Sequence, residues 1–294
     1  MDLRTLEYFV TVAEELNITK AAEKLNMSQP PLSNQMKKLE EELETVLFIR
    51  GKRHIELTES GRLLYRRAKE ILNLSEKAAS EILSMNKGMN GTISIGLVEG
   101  MAPDMAGEWF AGFIKKYPGV HFRIIDGNSD ELIEKMRSGL ISLALITAPY
   151  DQSLLNSFRV GSEKMVALMN YDHPLAGIGS PSISVSRLKG ESLIVPSRKA
   201  TIDMIYKWFR EIKSEPNIIC EMDNYLDAAA LAGRGLGISI FPKTAYIPNS
   251  SLVSKEIEGD DKRVDYIFVW RKGHPLPTVE ETFIDFVKES SMVK

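Results

Sequence analysis

The stretch "NMSQPPLSNQMKKLEEEL", Asn26 to Leu43, decides how the rest of this chain is read. Its apolar residues Leu32, Met36, Leu39 and Leu43 are spaced 4, 3 and 4, one buried stripe on a helix of 3.6-residue period. Two prolines nevertheless stand side by side near its start, and proline inside a helix costs roughly 3 kcal/mol or more. The conflict disappears if Ser28 is the N-cap. Gln29, Pro30 and Pro31 then occupy the first turn, where backbone N–H groups have no partner within the helix. Gln29, Pro30, Ser33, Asn34 and Lys37 project away from the stripe, short and uncharged or basic, which suits a helix inserted end-first into a narrow furrow.

Upstream, the spacing predicts a helix over Leu3 to Leu16 that buries Leu6, Phe9, Val10, Ala13 and Leu16. Asn17-Ile18 breaks it, and Thr19 is the expected N-cap of a short helix around Ala21, Ala22 and Leu25. A short helix, a turn at Asn26-Met27 and a longer helix with a polar face form a helix-turn-helix. Downstream, "LFIRGKRHIELT" (Leu47 to Thr58) holds two β-leaning runs around "GKR", a hairpin with a basic tip, which makes the unit a winged helix. From Thr58, an expected N-cap, a helix runs to about Asn86. Leu64, Ala68, Ile71, Ser75, Ala78, Ile82 and Met85 form a heptad seam along it that calls for a partner helix, a dimer seam. "NKGMNGT" then reads as a hinge.

After Gly91 the texture becomes alternating strand and helix, from "TISIGLV" to "ISLALIT" and again from "SLIVP" to "LGISIFP". This predicts parallel sheet covered by helices, in two α/β lobes with a ligand cleft between them. The expected organisation is an all-α winged helix-turn-helix DNA-binding domain over 1–57 and a dimerisation helix with hinge over 58–90. An effector-binding domain follows over 91–294, with lobe I at about 91–160 and 266–294 and lobe II at about 161–265.

Composition narrows the class. With 294 residues, 44% hydrophobic and 26% charged, the chain is an ordinary globular protein long enough for two or three domains. Cys220 is the only cysteine, which excludes a disulfide framework and fits a reducing cytosol. The N-terminus has no basic run followed by an apolar one, so no secretory signal is expected, and no apolar run approaches the roughly 20 residues of a membrane span. The expected location is cytoplasmic. Net charge is −3, and residues 1–90 carry 14 residues of each sign. Local patterning matters more, because salt screens charges beyond about 10 Å. Arg50 to Lys69 holds seven basic residues against Glu56 and Glu59.

The motifs AA-x-x-L, SQPPLS, K-x-LE, LF-x-R and LT-x-x-G, in this order across residues 3–61, closely resemble the LysR-type bacterial transcriptional regulators. "FIKKYPGVHFRI" and "AGRGLGISIFP" resemble that family's effector domain more loosely. The resemblance implies a periplasmic-binding-protein-like effector domain and assembly as dimers or tetramers. It also implies that Gln29, Pro30, Ser33 and Asn34 meet base edges, and that Arg50 and Arg53 lie on the wing against the minor groove or phosphate. The chemistry agrees: Gln bonds adenine bidentately, Ser bonds either kind of pair, and a proline ring can touch a thymine methyl. Thr19 and Lys37 are candidate phosphate contacts. From spacing alone these side chains are equally a solvated face; the wing and the resemblance favour DNA. Asn34 stands where the family often has arginine, which shifts the expected base preference. Glu44 stands at a usual glycine, so the helix is expected to lack a left-handed cap or to run on. The acidic run Glu40-Glu41-Glu42 is expected to be solvated.

Effector candidates sit at strand ends and helix N-termini: Val98, Glu99, Gly100 and Met101, then Thr147, then Ser197, Arg198 and Thr201. The 197–201 loop suggests an organic anion, against the competing reading of a capped helix with a solvated arginine. Glu99 would repel a carboxylate placed on it. "GRGLG" (Gly233 to Gly237) follows a helix and precedes a strand, the reverse of a phosphate cradle, so a tight turn is expected. The four histidines lack metal-ligand spacing, Cys220 and the rest offer no poised nucleophile, and Trp109, Trp208 and Trp270 are expected in the core. No metal, cofactor or catalytic residue is expected. An enzyme is disfavoured, as is a solute-binding transport protein, which needs an export signal and has no use for a winged helix. The expected partners are double-stranded DNA with an interrupted inverted repeat, a small-molecule effector, a second copy through the linker helix or a homotetramer, and RNA polymerase.

Overall fold

The structure is a computed structural model, and it describes residues 1–50, 55–85, 90–244 and 251–292. The chain divides into two compact units, Met1–Asn86 and Lys87–Lys294.

In the first unit, α1 (Leu3–Glu15) is capped by Asp2 and ends at Leu16 in the left-handed region. Helix α2 (Ile18–Lys24) is capped by Asn17, whose side chain accepts the N–H groups of Thr19 and Lys20. This corrects the expected cap: Thr19 lies inside the first turn, because Asn17 reaches both donors first. Ala21 and Ala22 are buried, so α2 and α3 (Gln29–Glu42) cross closely. Leu32, Met36 and Leu39 bury as the stripe predicts, but Leu43 is the exposed C-cap. Beyond it, Glu44 takes φ +49° and Thr45 N–H donates to Glu40 C=O at 3.1 Å. The helix therefore closes with a left-handed cap after all, on a non-glycine residue.

Strands β1 (Phe48–Arg50) and β2 (Ile55–Leu57) pair antiparallel as the wing. Glu40 is not solvated: its Oε1 accepts from the N–H groups of Leu47 at 2.8 Å and Phe48 at 3.1 Å. Thr58 caps α4 (Glu59–Met85) by accepting from Gly61 N–H, and its hydroxyl donates to Val46 C=O at 2.7 Å. A Cβ on Gly61 would lie 2.2 Å from the Leu47 carbonyl oxygen, so only glycine fits there. The first half of α4 packs on α1, with Ala68 buried and Leu64, Tyr65 and Leu72 against the same core. The expected seam is thus split over its first half, and the side chains of Ile82 and Met85 lie outside the described residues. Leu64 and Ala68 serve their own unit, whereas Leu63, Ile71 and Leu74 form the open apolar face.

In the second unit, β3 (Gly91–Leu97), α5 (Ala102–Lys116), β4 (Val120–Asp126), α6 (Ser129–Arg137) and β5 (Leu143–Thr147) follow the predicted alternation. Strand β6 (Leu155–Asn170) was not anticipated; nor were the short β7 (Ser182–Ile183) and, later, β11 (Leu252–Ile257). Then come β8 (Ser192–Val195), α7 (Lys199–Glu211), β9 (Asn217–Glu221), α8 (Tyr225–Gly233), β10 (Ile238–Pro242), β12 (Arg263–Arg271) and α9 (Thr278–Met292). The strand order β4-β3-β5-β12-β6-β10-β8-β9 corrects the all-parallel expectation. Strands β12 and β6 insert antiparallel at its centre. Residues 155–164 of β6 pair with β12, and 165–168 with β10, so one long strand joins both lobes.

Phe113, Phe122 and Phe283 interlock between α5, β4 and α9 with centroids 5.0–6.2 Å apart. Phe113 and Phe283 are fully buried and contribute about 1.5–3 kcal/mol each. Trp109 and Trp208 are buried, and Trp270 packs partly buried on the same core. "GRGLG" is a tight turn: Gly235 has φ +78°, and a Cβ on Gly237 would meet Ser192 C=O at 2.5 Å. Cys220 is half-buried on β9. Among the described residues no histidine, cysteine or carboxylate group forms a metal-holding cluster, and no helix is long and apolar enough to cross a membrane.

Candidate functional site

Two sites emerge, one in each unit. In the first, α3 begins at Gln29 with Pro30 and Pro31 in its opening turn, so its N-terminal end carries no lost hydrogen bonds. Gln29, Pro30, Asn34, Lys37 and Thr19 are exposed and Ser33 is half-buried. Among the described residues, the side chains of Gln29, Ser33 and Asn34 have no hydrogen-bond partner, which leaves their donors and acceptors open to a ligand. Lys37 is held toward Glu41 at 3.6 Å, a solvated pair worth little. The side chain of Arg50 and the whole of Arg53 lie outside the described residues.

In the second unit a cavity of about 240 Å³ opens between the lobes. Val98, Glu99, Gly100, Thr147, Arg198 and Thr201 line it, six of the eight residues expected there. Met101 and Ser197 do not. Met101 N–H donates to Tyr266 Oη at 3.1 Å, and burial pushes that phenol up to about 12. Ser197 turns toward Asp223, donating through N at 3.0 Å and Oγ at 2.5 Å. Sequence reasoning missed Asn128, Ser129, Glu131, Asp223, Tyr225 and Phe241 on the walls. Asn128 caps α6 and Asn224 caps α8, so the rule used for the other candidates, strand ends meeting helix N-termini, also reaches these positions.

Arg198 differs from both readings of it. It is 7% exposed, not solvated. Its Nε and Nη2 donate to Asp130 Oδ1 at 3.2 and 3.0 Å, Nη1 to Thr147 O and Oγ1 at 3.1 and 3.3 Å, and Nη2 to Pro149 O at 2.5 Å. A guanidinium has five N–H groups, and all are engaged. Its donors are thus spent on the protein's own acceptors rather than presented to the cavity.

Glu99 crosses the cleft in the other direction. Its Oε2 accepts from Tyr225 N–H at 2.5 Å and its Oε1 from Asn224 Nδ2 at 3.2 Å, at the start of α8. Burial pushes its carboxyl above the ordinary value; the Tyr225 N–H opposes this, and Asp126, Asp223 and Asp227 add to it. Asn128 Nδ2 donates to Asp223 Oδ2 at 3.3 Å, joining Arg198 and Glu99 as a third residue whose side chain spans the cleft. The cavity is therefore bridged by polar ties between the lobes, with both polar and apolar side chains on its wall.

An open-faced recognition helix with a wing, followed by a two-lobed α/β unit enclosing a cavity, defines a DNA-binding regulator that carries its own ligand-binding domain. The chain is matched by the family models "Bacterial regulatory helix-turn-helix protein, lysR family" over residues 3–62 and "LysR substrate binding domain" over residues 86–291. It belongs to the LysR family: a DNA-binding transcriptional regulator with a substrate-binding domain, and not an enzyme. It is 30% identical to the Hca operon transcriptional activator HcaR of Escherichia coli (strain K12), covering 98% of each chain. It is likewise 30% identical to the transcriptional regulator BsdA of Bacillus subtilis (strain 168), covering 97% of this chain and 99% of that one. Its fold is similar to that of full-length CbnR crystallised with its target DNA, with TM-score 0.81 and 24% identity over 99% of this chain and 100% of that one.

Proposed function

We propose that this regulator reads two half-sites of an interrupted inverted repeat, one per protomer of a homodimer. Gln29, Pro30, Ser33 and Asn34 meet base edges in the major groove, Thr19 and Lys37 hold phosphates, and Arg50 and Arg53 carry the wing's contact. The observation that carries this reading is the open face of α3, whose Gln29, Ser33 and Asn34 find no partner among the described residues. The apolar face Leu63, Ile71 and Leu74 of α4 supports pairing of two copies, because contiguous exposed apolar side chains mark an interaction surface. Two such dimers form a tetramer. A small-molecule effector occupies the cavity between the lobes, shifts their relative placement and so changes the DNA-bound arrangement read by RNA polymerase. The protein acts in the cytoplasm.

Footprinting of the full chain on its own upstream DNA tests the reading. Two protected segments about one or more helical turns apart on one face of the duplex are expected. A single or unphased footprint contradicts it.

A further inference from the structure

We propose that the inter-lobe cavity takes an organic cation, an ammonium group on a compact apolar body. This rests on the reading of the cavity as the effector site, and it concerns the charge of what enters.

Two features that could receive an anion there are already satisfied by the chain. The first is the guanidinium of Arg198, the one cation on the wall among the described residues. Its five N–H groups are engaged by Asp130, Thr147 and Pro149. The second is the N-terminus of α8, where backbone N–H groups and the helix dipole favour negative charge. Glu99 reaches across from the other lobe and fills it, accepting from Tyr225 N–H. The protein supplies its own carboxylate where a ligand's carboxylate would dock.

What remains toward the cavity is a surplus of acceptors. Glu99, Glu131 and Asp223 stand on the wall against one guanidinium, Asp223 already accepting from Ser197 N–H, Ser197 Oγ and Asn128 Nδ2. Glu99 uses two of its roughly four lone-pair sites, and the exposed carboxylate of Glu131 accepts no hydrogen bond among the described residues. Part of the wall is apolar: Val98, Phe241 and Val264 are buried, and the rings of Tyr225 and Phe241 meet edge to face at 6.0 Å. Aromatic faces and carboxylates together attract a cation and repel an anion of the same shape.

The test titrates full-length protein with three probes of one skeleton, benzylammonium, benzyl alcohol and benzoate, following thermal shift and NMR chemical-shift change. Benzylammonium should bind about tenfold or more tightly than benzoate. Glu99→Gln should remove most of that preference, and Thr201→Trp, which fills the cavity, should abolish binding. Tighter binding of benzoate that Thr201→Trp abolishes overturns the cation assignment and leaves the cavity reading standing. Benzylammonium binding that survives both substitutions places the ligand elsewhere and overturns the cavity reading with it. Binding of none of the three probes overturns the proposal as well.

Discussion

Arg198, at the start of α7, donates through both Nε and Nη2 to a single oxygen of Asp130, at the start of α6, so a cation of one lobe is fastened to a carboxylate of the other. Asp130 is largely exposed while Arg198 is 6% exposed at its side chain, so the two partners are not equivalent. Asp130→Ala leaves a buried guanidinium without its counter-charge and should cost about 2 kcal/mol or more. Asp130→Asn keeps an acceptor and should cost less. Calorimetric unfolding of the full chain, reading the transition of the second unit, checks both.

The wing hangs on Glu40. Its carboxylate accepts two backbone N–H groups at the entry to β1, and hydrogen bonds to a charged group are worth about 1.5–3 kcal/mol. Glu40→Ala should destabilise the first unit by about 2 kcal/mol and weaken DNA binding without changing base preference. Glu40→Gln should recover most of the loss. Denaturant unfolding together with gel-shift affinities on matched and scrambled DNA separates the two effects.

Glu44 adopts φ +49° at the end of α3, a conformation that costs a side-chain-bearing residue about 1–2 kcal/mol. Glycine adopts it freely but is looser when unfolded, so Glu44→Gly should stabilise the first unit by about 0.5–1 kcal/mol. A fall in stability on chemical denaturation would contradict this.

Glu99 sets a pH dependence. Its carboxyl is held above the ordinary value by burial, with Asp126, Asp223 and Asp227 adding to it against the Tyr225 N–H; Glu131 and Arg198 line the same cavity. A raised carboxylate means that the folded state binds its proton more readily than the unfolded chain. Glu99 therefore disfavours folding above its folded value, and the penalty disappears as pH falls below the unfolded value. Glu99→Gln should stabilise the second unit most near pH 7, and the gap should narrow toward pH 4. Thermal unfolding across that range is the check.

Much of this was written in local spacing. The stripe Leu32, Met36 and Leu39, the cap at Ser28 and the alternation from β3 to β5 all follow from residues a turn or a strand apart. The cap of α2 went to Asn17 rather than Thr19 because two good capping residues compete within three positions, and the turn geometry chooses. Strand β6 escaped notice because its first half, "LNSFRVGSEK", pairs with β12 in a half-buried setting and carries no clear alternation. The fate of Arg198 was not legible at all. Its partners lie 49 to 68 residues away, so its type and its place at a helix start suggested an anion anchor that the folded chain had already filled. Glu40 likewise passed for a solvated residue until the left-handed turn at Glu44 brought Leu47 and Phe48 back to it.

The central claim is that the N-terminal end of α3 enters a groove and reads bases. Competition gel shifts with Gln29→Ala and Lys37→Ala, on the cognate site and its single-base variants, test it most directly. Gln29→Ala should relax discrimination at one base pair by about 1–3 kcal/mol, whereas Lys37→Ala should weaken all sequences alike and reduce the salt slope by about one. Uniform weakening by Gln29→Ala with base preference intact would contradict the account.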